Sequence, residues 1–292
     1  MQTARRVRAG DIELGCRLWG DGPTTVLFVH GNLASKDWIE LAAPWFPPDI
    51  RVIGLDWRGC GDSDRPPPGA DYANYRMEVH AADMLAALDT LGVGFCHLAT
   101  HSTGGVIAAH MLLARPERFG KVLALDPVAP LGLAFDEQGF ALFEAMRSSP
   151  EVTRAVMATA AASLFEPDSL GAGKVPQLRA GAGPTAAMFE RVVRGAFGVA
   201  EGVWLGTPRH LTEERRAGCL STRMPELRHE HLVLWGEQDG WIPAADLKMM
   251  TRRMPDCRLV TVPGVGHSMN LERPELYAGY FGAFFGGLNR VS

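Results

Sequence analysis

The sequence predicts an α/β fold: a mostly parallel central sheet with helices on both faces, interrupted by a helical cap insertion. Three observations predict it. Short apolar runs such as Thr25–His30 and Lys121–Leu125 have strand length and lack the polar alternation of a half-exposed strand, which suits strands buried on both faces. Segments with helical spacing separate them, and this rhythm calls for right-handed crossovers between parallel strands. From Pro130 to Glu230 the rhythm stops, and helical fragments with Gly/Pro joints replace it before strand signals return.

Taken in order, Val7–Ala9 and Ile12–Trp19 read as antiparallel strands joined at Gly10-Asp11. Thr25–His30 and Arg51–Leu55 follow as buried strands, with a helix-like stretch, Trp38–Trp45, between them. Tyr75–Leu91 carries Met77, Ala81, Met84, Leu85 and Leu88 at helical spacing, and Gly92 stops it. Phe95–Ala99 is the next strand, Gly104–Leu113 the next helix and Lys121–Leu125 the next strand. After the insertion come strands His231–Trp235 and Arg258–Val262, with helices Ala244–Met254 and Pro274–Phe285. The expected organisation is therefore a core of residues 1–129 and 231–292 with a helical cap of residues 130–230.

Composition narrows the function classes. With 47% hydrophobic and 21% charged residues, the chain has the makings of a globular core and not of a disordered segment. A net charge of -4 gives no electrostatic reason to expect nucleic acid or an anionic membrane as partner; the partner expected, from the chemistry read below, is a small-molecule substrate. The Arg-rich start has no apolar stretch behind it long enough for a signal peptide or a membrane span. Five scattered cysteines without C-x-x-C spacing suggest neither a disulfide framework nor a zinc site, and point to a reducing cytoplasm. Nothing in the chain fixes an oligomeric state.

The sharpest chemical feature is Thr100-His101-Ser102-Thr103-Gly104-Gly105, in which a strand runs straight into a helix. A turn that tight strains the central residue, lifts its side chain off the sheet and requires small residues two positions to either side. It also aims the Thr103 amide and the helix N-terminus at whatever bonds to Ser102, which suits a developing oxyanion. Ser102 as a plain helix cap is the bland alternative. Thr100 stands where Gly is usual, so the packing around it must leave room. His30-Gly31-Asn32 leaves the carboxyl end of another strand, where open α/β sheets build ligand sites. The Asn32 amide is placed there to give a second oxyanion bond, although Gly-Asn is also a common strand exit. The loop Asp56–Asp64 reads as structural, pinned by its own Asp and Gly residues.

Two later loops complete the set. Asp239 follows the strand His231–Trp235, and His267 follows Arg258–Val262. In parallel topology both emerge on the edge that presents Ser102. The chemistry needs these parts: an imidazole to take the serine proton and a carboxylate to fix its tautomer.

The motifs HGN, DWRGCGDSD, THSTGG, WGEQD and VPGVGHSMN together resemble the α/β-hydrolase superfamily, and they span the chain outside the insertion. The resemblance implies Ser102 as nucleophile, His267 as general base and then acid, Asp239 as orienting carboxylate, and Asn32 and Thr103 as oxyanion amides. It also implies a reserve acid, Asp126, because some relatives keep the acid after the preceding strand; in its other role Asp126 starts the turn at Pro127. Haloalkane dehalogenases and epoxide hydrolases of this fold carry Asp at the elbow, so Ser102 points to acyl transfer. His101 reads as packing. No histidine spacing suggests a metal, and no cofactor is expected. The apolar residues of the insertion, among them Phe140, Phe143, Met146, Met157 and Trp204, suggest a medium-sized, largely apolar ester or lactone. Carbon–carbon bond hydrolysis, thioester hydrolysis or acyl transfer with the same triad, and a non-hydrolytic receptor or lyase, remain as alternatives.

Overall fold

The computed structural model describes residues 3–286 and contains one sheet of eight strands. These are β1 (Thr3–Ala9), β2 (Ile12–Trp19), β3 (Thr24–Val29), β4 (Ile50–Leu55), β5 (Cys96–His101), β6 (Phe119–Leu125), β7 (His231–Gly236) and β8 (Cys257–Val262). Their spatial order is β1-β2-β4-β3-β5-β6-β7-β8. β1 and β2 run antiparallel to their neighbours, whereas β4 through β8 form a continuous parallel ladder. The apolar runs explain this placement, since Val26–Val29 of β3 are all essentially inaccessible, as a central strand under two layers requires.

Strand order reverses at β3. The chain leaves β3 for β4 on one side and then returns to the other side as β5. Loops leaving the carboxyl ends of β3 and β5 therefore diverge and open a crevice between them. His30-Gly31-Asn32 and Ser102 are the residues that leave those two ends, and Val29 lies in register with Thr100.

Helices α1 (Met77–Thr90) and α2 (Gly104–Ala114) pack on each other and on the first half of the sheet. Between β6 and β7 the regular elements are helices: α3 (Glu137–Ser148), α4 (Pro150–Ala160), α5 (Gly183–Ala196), α6 (Thr207–Ala217) and the short α7 (Cys219–Thr222). The last part adds α8 (Ala244–Arg253), α9 (Met269–Glu272) and α10 (Pro274–Phe285). No helix among the described residues is long and apolar enough to cross a membrane.

One expected element is corrected. The stretch 38–45 is not an α-helix but two 3₁₀ turns, Lys36–Ile39 and Ala43–Trp45. Pro44 has no N–H to give the carbonyl of Glu40, so an α ladder cannot pass through it. Several edges also move. β1 begins at Thr3, and β5 excludes the exposed Phe95 but takes in His101, because its parallel pairing with β6 continues to Leu125.

Candidate active site

Ser102 is held at φ 52°, in the left-handed region that a residue with a Cβ enters at a cost. Its backbone is fastened on both sides: its N–H donates to the Leu125 carbonyl at 3.0 Å, and its own carbonyl accepts from Gly105 and Val128 at 3.0 and 2.9 Å. The strain persists because neighbouring strands over-determine the turn. Small residues are needed where the sequence has them. A Cβ on Gly104 would sit 2.3 Å from the Val29 carbonyl oxygen, and one on Gly31 would sit 2.9 Å from the Cβ of Ser102. Thr100 is fully buried and borders a cavity of about 20 Å³ together with Gly105 and Ala108, so its branched side chain fits here without filling the space.

Asp239 and His267 meet behind this turn. His267 Nδ1 donates to Asp239 Oδ2 at 3.0 Å, while Asp239 Oδ1 accepts from the amides of Trp241 and Ile242 at 2.7 and 3.2 Å. Burial works against the Asp239 charge, but His267 and those amides outweigh it and hold its pKa below the ordinary value. Ser102 and His267 line one cavity; no hydrogen bond joins them among the described residues, as is common before substrate binds.

Asp126 also comes to this place without touching His267 as Asp239 does. Its Oδ1 accepts the Gly236 amide at 2.7 Å, and its buried Oδ2 has no donor. Its carboxyl, that of Asp239 and the His267 ring offer atoms within 4.8 Å of one another. Burial, and then the charge on Asp239, push the Asp126 pKa well up, whereas that of Asp239 is held down. The geometry thus gives the bond to His267 to Asp239, and Asp126 stands next to it with its pKa raised.

Asn32 and Thr103 line the same cavity as Ser102. The loop that carries Asn32 is anchored from beneath. His30 stacks on Trp57 at 4.8 Å between centroids, gives Nδ1–H to the Gly31 carbonyl and accepts the Trp57 amide at Nε2. Burial lowers its pKa to about 3, so the ring stays neutral. Lys36, also buried, donates to Asp56 and Asp62 at 2.9 and 2.6 Å, and Asp56 in turn takes the backbone amides of Lys36 and Asp62. The loop after β4 is thus a clamp on the loop after β3, a role beyond the local pinning that its Asp and Gly content suggested.

His101 does more than pack. Its Nε2–H donates to the His267 carbonyl at 2.8 Å, and its ring lies against Trp38 and His267. Burial drives its pKa down to about 3. A further residue escaped the sequence reading. Glu272 accepts the amides of Gly266 and Ser268, the two residues that flank His267. The available signal was its place one helical turn after Ser268, from which a carboxylate can fold back on the amides that open the turn.

The cavity measures about 80 Å³ and has almost wholly apolar walls. The insertion contributes Phe135, Phe143, Met146 and Met157, while Phe140, Phe165 and Trp204 lie elsewhere. None of the described residues that line it is Lys, Arg, Asp or Glu.

Residues 24–274 match the family model described as the alpha/beta hydrolase fold. The chain belongs to this family. Among α/β-hydrolase relatives, it is 26% identical over 280 residues to 2-(acetamidomethylene)succinate hydrolase of Mesorhizobium japonicum, covering 94% of this chain and 91% of the relative. It is 32% identical to the fluoroacetate dehalogenase of a Burkholderia species, over a stretch that spans only 46% of this chain and 43% of that protein. Solved structures share the fold at lower identity. The esterase from Exiguobacterium antarcticum superposes with a TM-score of 0.78 at 19% identity, over 98% of this chain and all (100%) of the other. Est816, described as an N-acyl homoserine lactone degrading enzyme, gives 0.70 at 22% over 96% and 100%.

Proposed function

We propose that this α/β-hydrolase cleaves small, uncharged carboxylic esters or lactones through an acyl-enzyme on Ser102. The observation that carries the proposal is Ser102 at φ 52°, facing one uncharged cavity with a His267 whose Nδ1 is fixed on Asp239. Asp239 keeps the proton of His267 on Nδ1, which leaves Nε2 free to accept the Ser102 proton as the hydroxyl attacks. The negative oxygen of the tetrahedral intermediate then falls to the amides of Asn32 and Thr103. Nε2–H returns the proton to the leaving alkoxide, and water enters by the same route to release the acid.

The relatives include proteins named for a dehalogenation and for hydrolysis of a succinate, and this site argues against carrying either activity over. Displacement of a halide at carbon to give an alkyl-enzyme ester needs a carboxylate nucleophile, and the elbow here presents a hydroxyl. A substrate with carboxylates needs a cation to receive it, and the cavity wall has none among the described residues. Its small volume sets a further limit, to a short acyl or alcohol part.

Charge selection gives the test. Hydrolysis of p-nitrophenyl butyrate is expected to exceed that of the p-nitrophenyl monoester of succinate by on the order of 100-fold in kcat/KM, since an unpaired buried carboxylate costs about 3 kcal/mol. Equal or faster turnover of the anionic ester would refute the uncharged-substrate reading.

A further inference from the structure

The carboxylate of Glu272, 5% exposed, is shared between two parts of the molecule that are far apart in sequence. Oε1 accepts Gly266 N–H at 3.1 Å and Ser268 N–H at 2.9 Å; Oε2 accepts Gly266 N–H at 2.9 Å. The rest of Oε2 belongs to the insertion, where Ser163 donates both its N–H, at 3.0 Å, and its hydroxyl. Ser163 sits in the turn Ala162–Leu164 just after α4, and α4 supplies Met157 and Ala160 to the cavity wall. Nothing separates the two parts: a Cβ on Gly266 would lie 3.1 Å from the Glu272 oxygens and 3.2 Å from the Ala160 carbonyl.

We propose that Glu272 is a positioning residue that couples the seating of the helical insertion to the orientation of His267, with Ser163 as the contact that reports the seating. The inference rests on the acyl-transfer reading of Ser102 and His267. A buried carboxylate oxygen left without hydrogen-bond donors costs free energy. Lifting α4 and its turn strips two donors from Oε2 and leaves the carboxylate to be satisfied by the Gly266 and Ser268 amides alone. The loop carrying His267 must then shift to compensate, so a seated insertion and an aligned imidazole form one joint low-energy state. A substrate that touches both Met157 and the core wall selects that state by binding. A two-carbon acyl group makes the fewest contacts with α4 and depends most on the built-in latch.

This dependence on chain length separates coupling from a merely structural role. In the full-length protein, Ser163→Ala is expected to lower kcat/KM on p-nitrophenyl acetate about tenfold, the worth of one hydrogen bond to a charged group, and on p-nitrophenyl butyrate by less than about threefold. Ser163→Thr keeps the hydroxyl and is expected to restore the acetate rate. Ser163 is only partly buried, and thermal melts of both variants are expected to show that they fold. Equal fractional losses on the two esters, a larger loss on butyrate, or no loss on either overturns the coupling. Ser102→Ala, run on the same esters, tests the underlying reading by itself: turnover that survives it refutes acyl transfer and leaves the Ser163 comparison to be judged apart.

Discussion

Ser102→Ala is expected to lower kcat on p-nitrophenyl butyrate by roughly 10⁵-fold while leaving the protein folded. The size follows from the division of labour at the site. Removing the hydroxyl removes the covalent route, and what remains is the contribution of the Asn32 and Thr103 amides to water attack. Folding is spared because the fastening of the turn is backbone, through Leu125, Gly105 and Val128, and none of it uses the hydroxyl. A companion variant exposes the strain. Ser102→Gly loses activity to the same extent, but at φ 52° glycine escapes a steric cost of about 1–2 kcal/mol that alanine still bears. Calorimetry is expected to place its Tm roughly 2 °C above that of Ser102→Ala. A glycine variant no more stable than the alanine variant would mean that the elbow is not strained.

The second large effect separates the two carboxyl groups. Asp239→Asn is expected to lower kcat by about 10⁴-fold, although only one atom changes type. The amides of Trp241 and Ile242 hold the oxygen of the side chain at the Oδ1 position, so the new NH₂ group is forced to face His267 Nδ1. Nδ1 must then accept, the ring proton moves to Nε2, and the imidazole can no longer take a proton from Ser102. Asp126→Asn is expected to stay within about threefold of wild type. There the carbonyl oxygen keeps the Gly236 amide, and the NH₂ takes the place of the unpartnered Oδ2. Stability carries the matching sign. The pKa of Asp126 is raised in the fold above the value of about 4 that it has when unfolded, so folding takes up a proton between the two values. The Asp126 contribution is fully present below the unfolded pKa and is lost as pH rises toward the folded one. Urea unfolding at pH 4 and pH 7 is therefore expected to show Asp126→Asn gaining stability relative to wild type as pH rises. A severe kinetic loss in Asp126→Asn, with Asp239→Asn active, would reverse the assignment.

Why some of this was legible in the sequence and some was not follows from the range of the forces. Ser102, Asp239 and His267 each lie just past an apolar run, and strand order alone carries such loops to one sheet edge. The turn at Ser102 is local, so its small neighbours Gly104 and Gly105 announce it. The stretch 38–45 misled because its aromatic spacing imitates a helix while Pro44 forbids the ladder. The cavity wall was out of reach. Phe143 and Phe140 stand three residues apart on α3, yet only Phe143 turns to the cavity, a choice made by how α3 settles on the core. The bond between Ser163 and Glu272 spans 109 residues and leaves no periodic trace in either segment. The closeness of Asp126 to Asp239 likewise depends on β6 and β7 being neighbours, which is a fact of topology and not of spacing.

The role of Ser102 is open to one direct measurement. Wild-type protein treated with a fluorophosphonate, followed by intact mass and peptide mapping, is expected to carry a single adduct on Ser102, with labelling absent in Ser102→Ala and slowed by orders of magnitude in His267→Ala. Folded wild-type protein that takes up no label, or that takes it up at another residue, would contradict a serine nucleophile at this elbow.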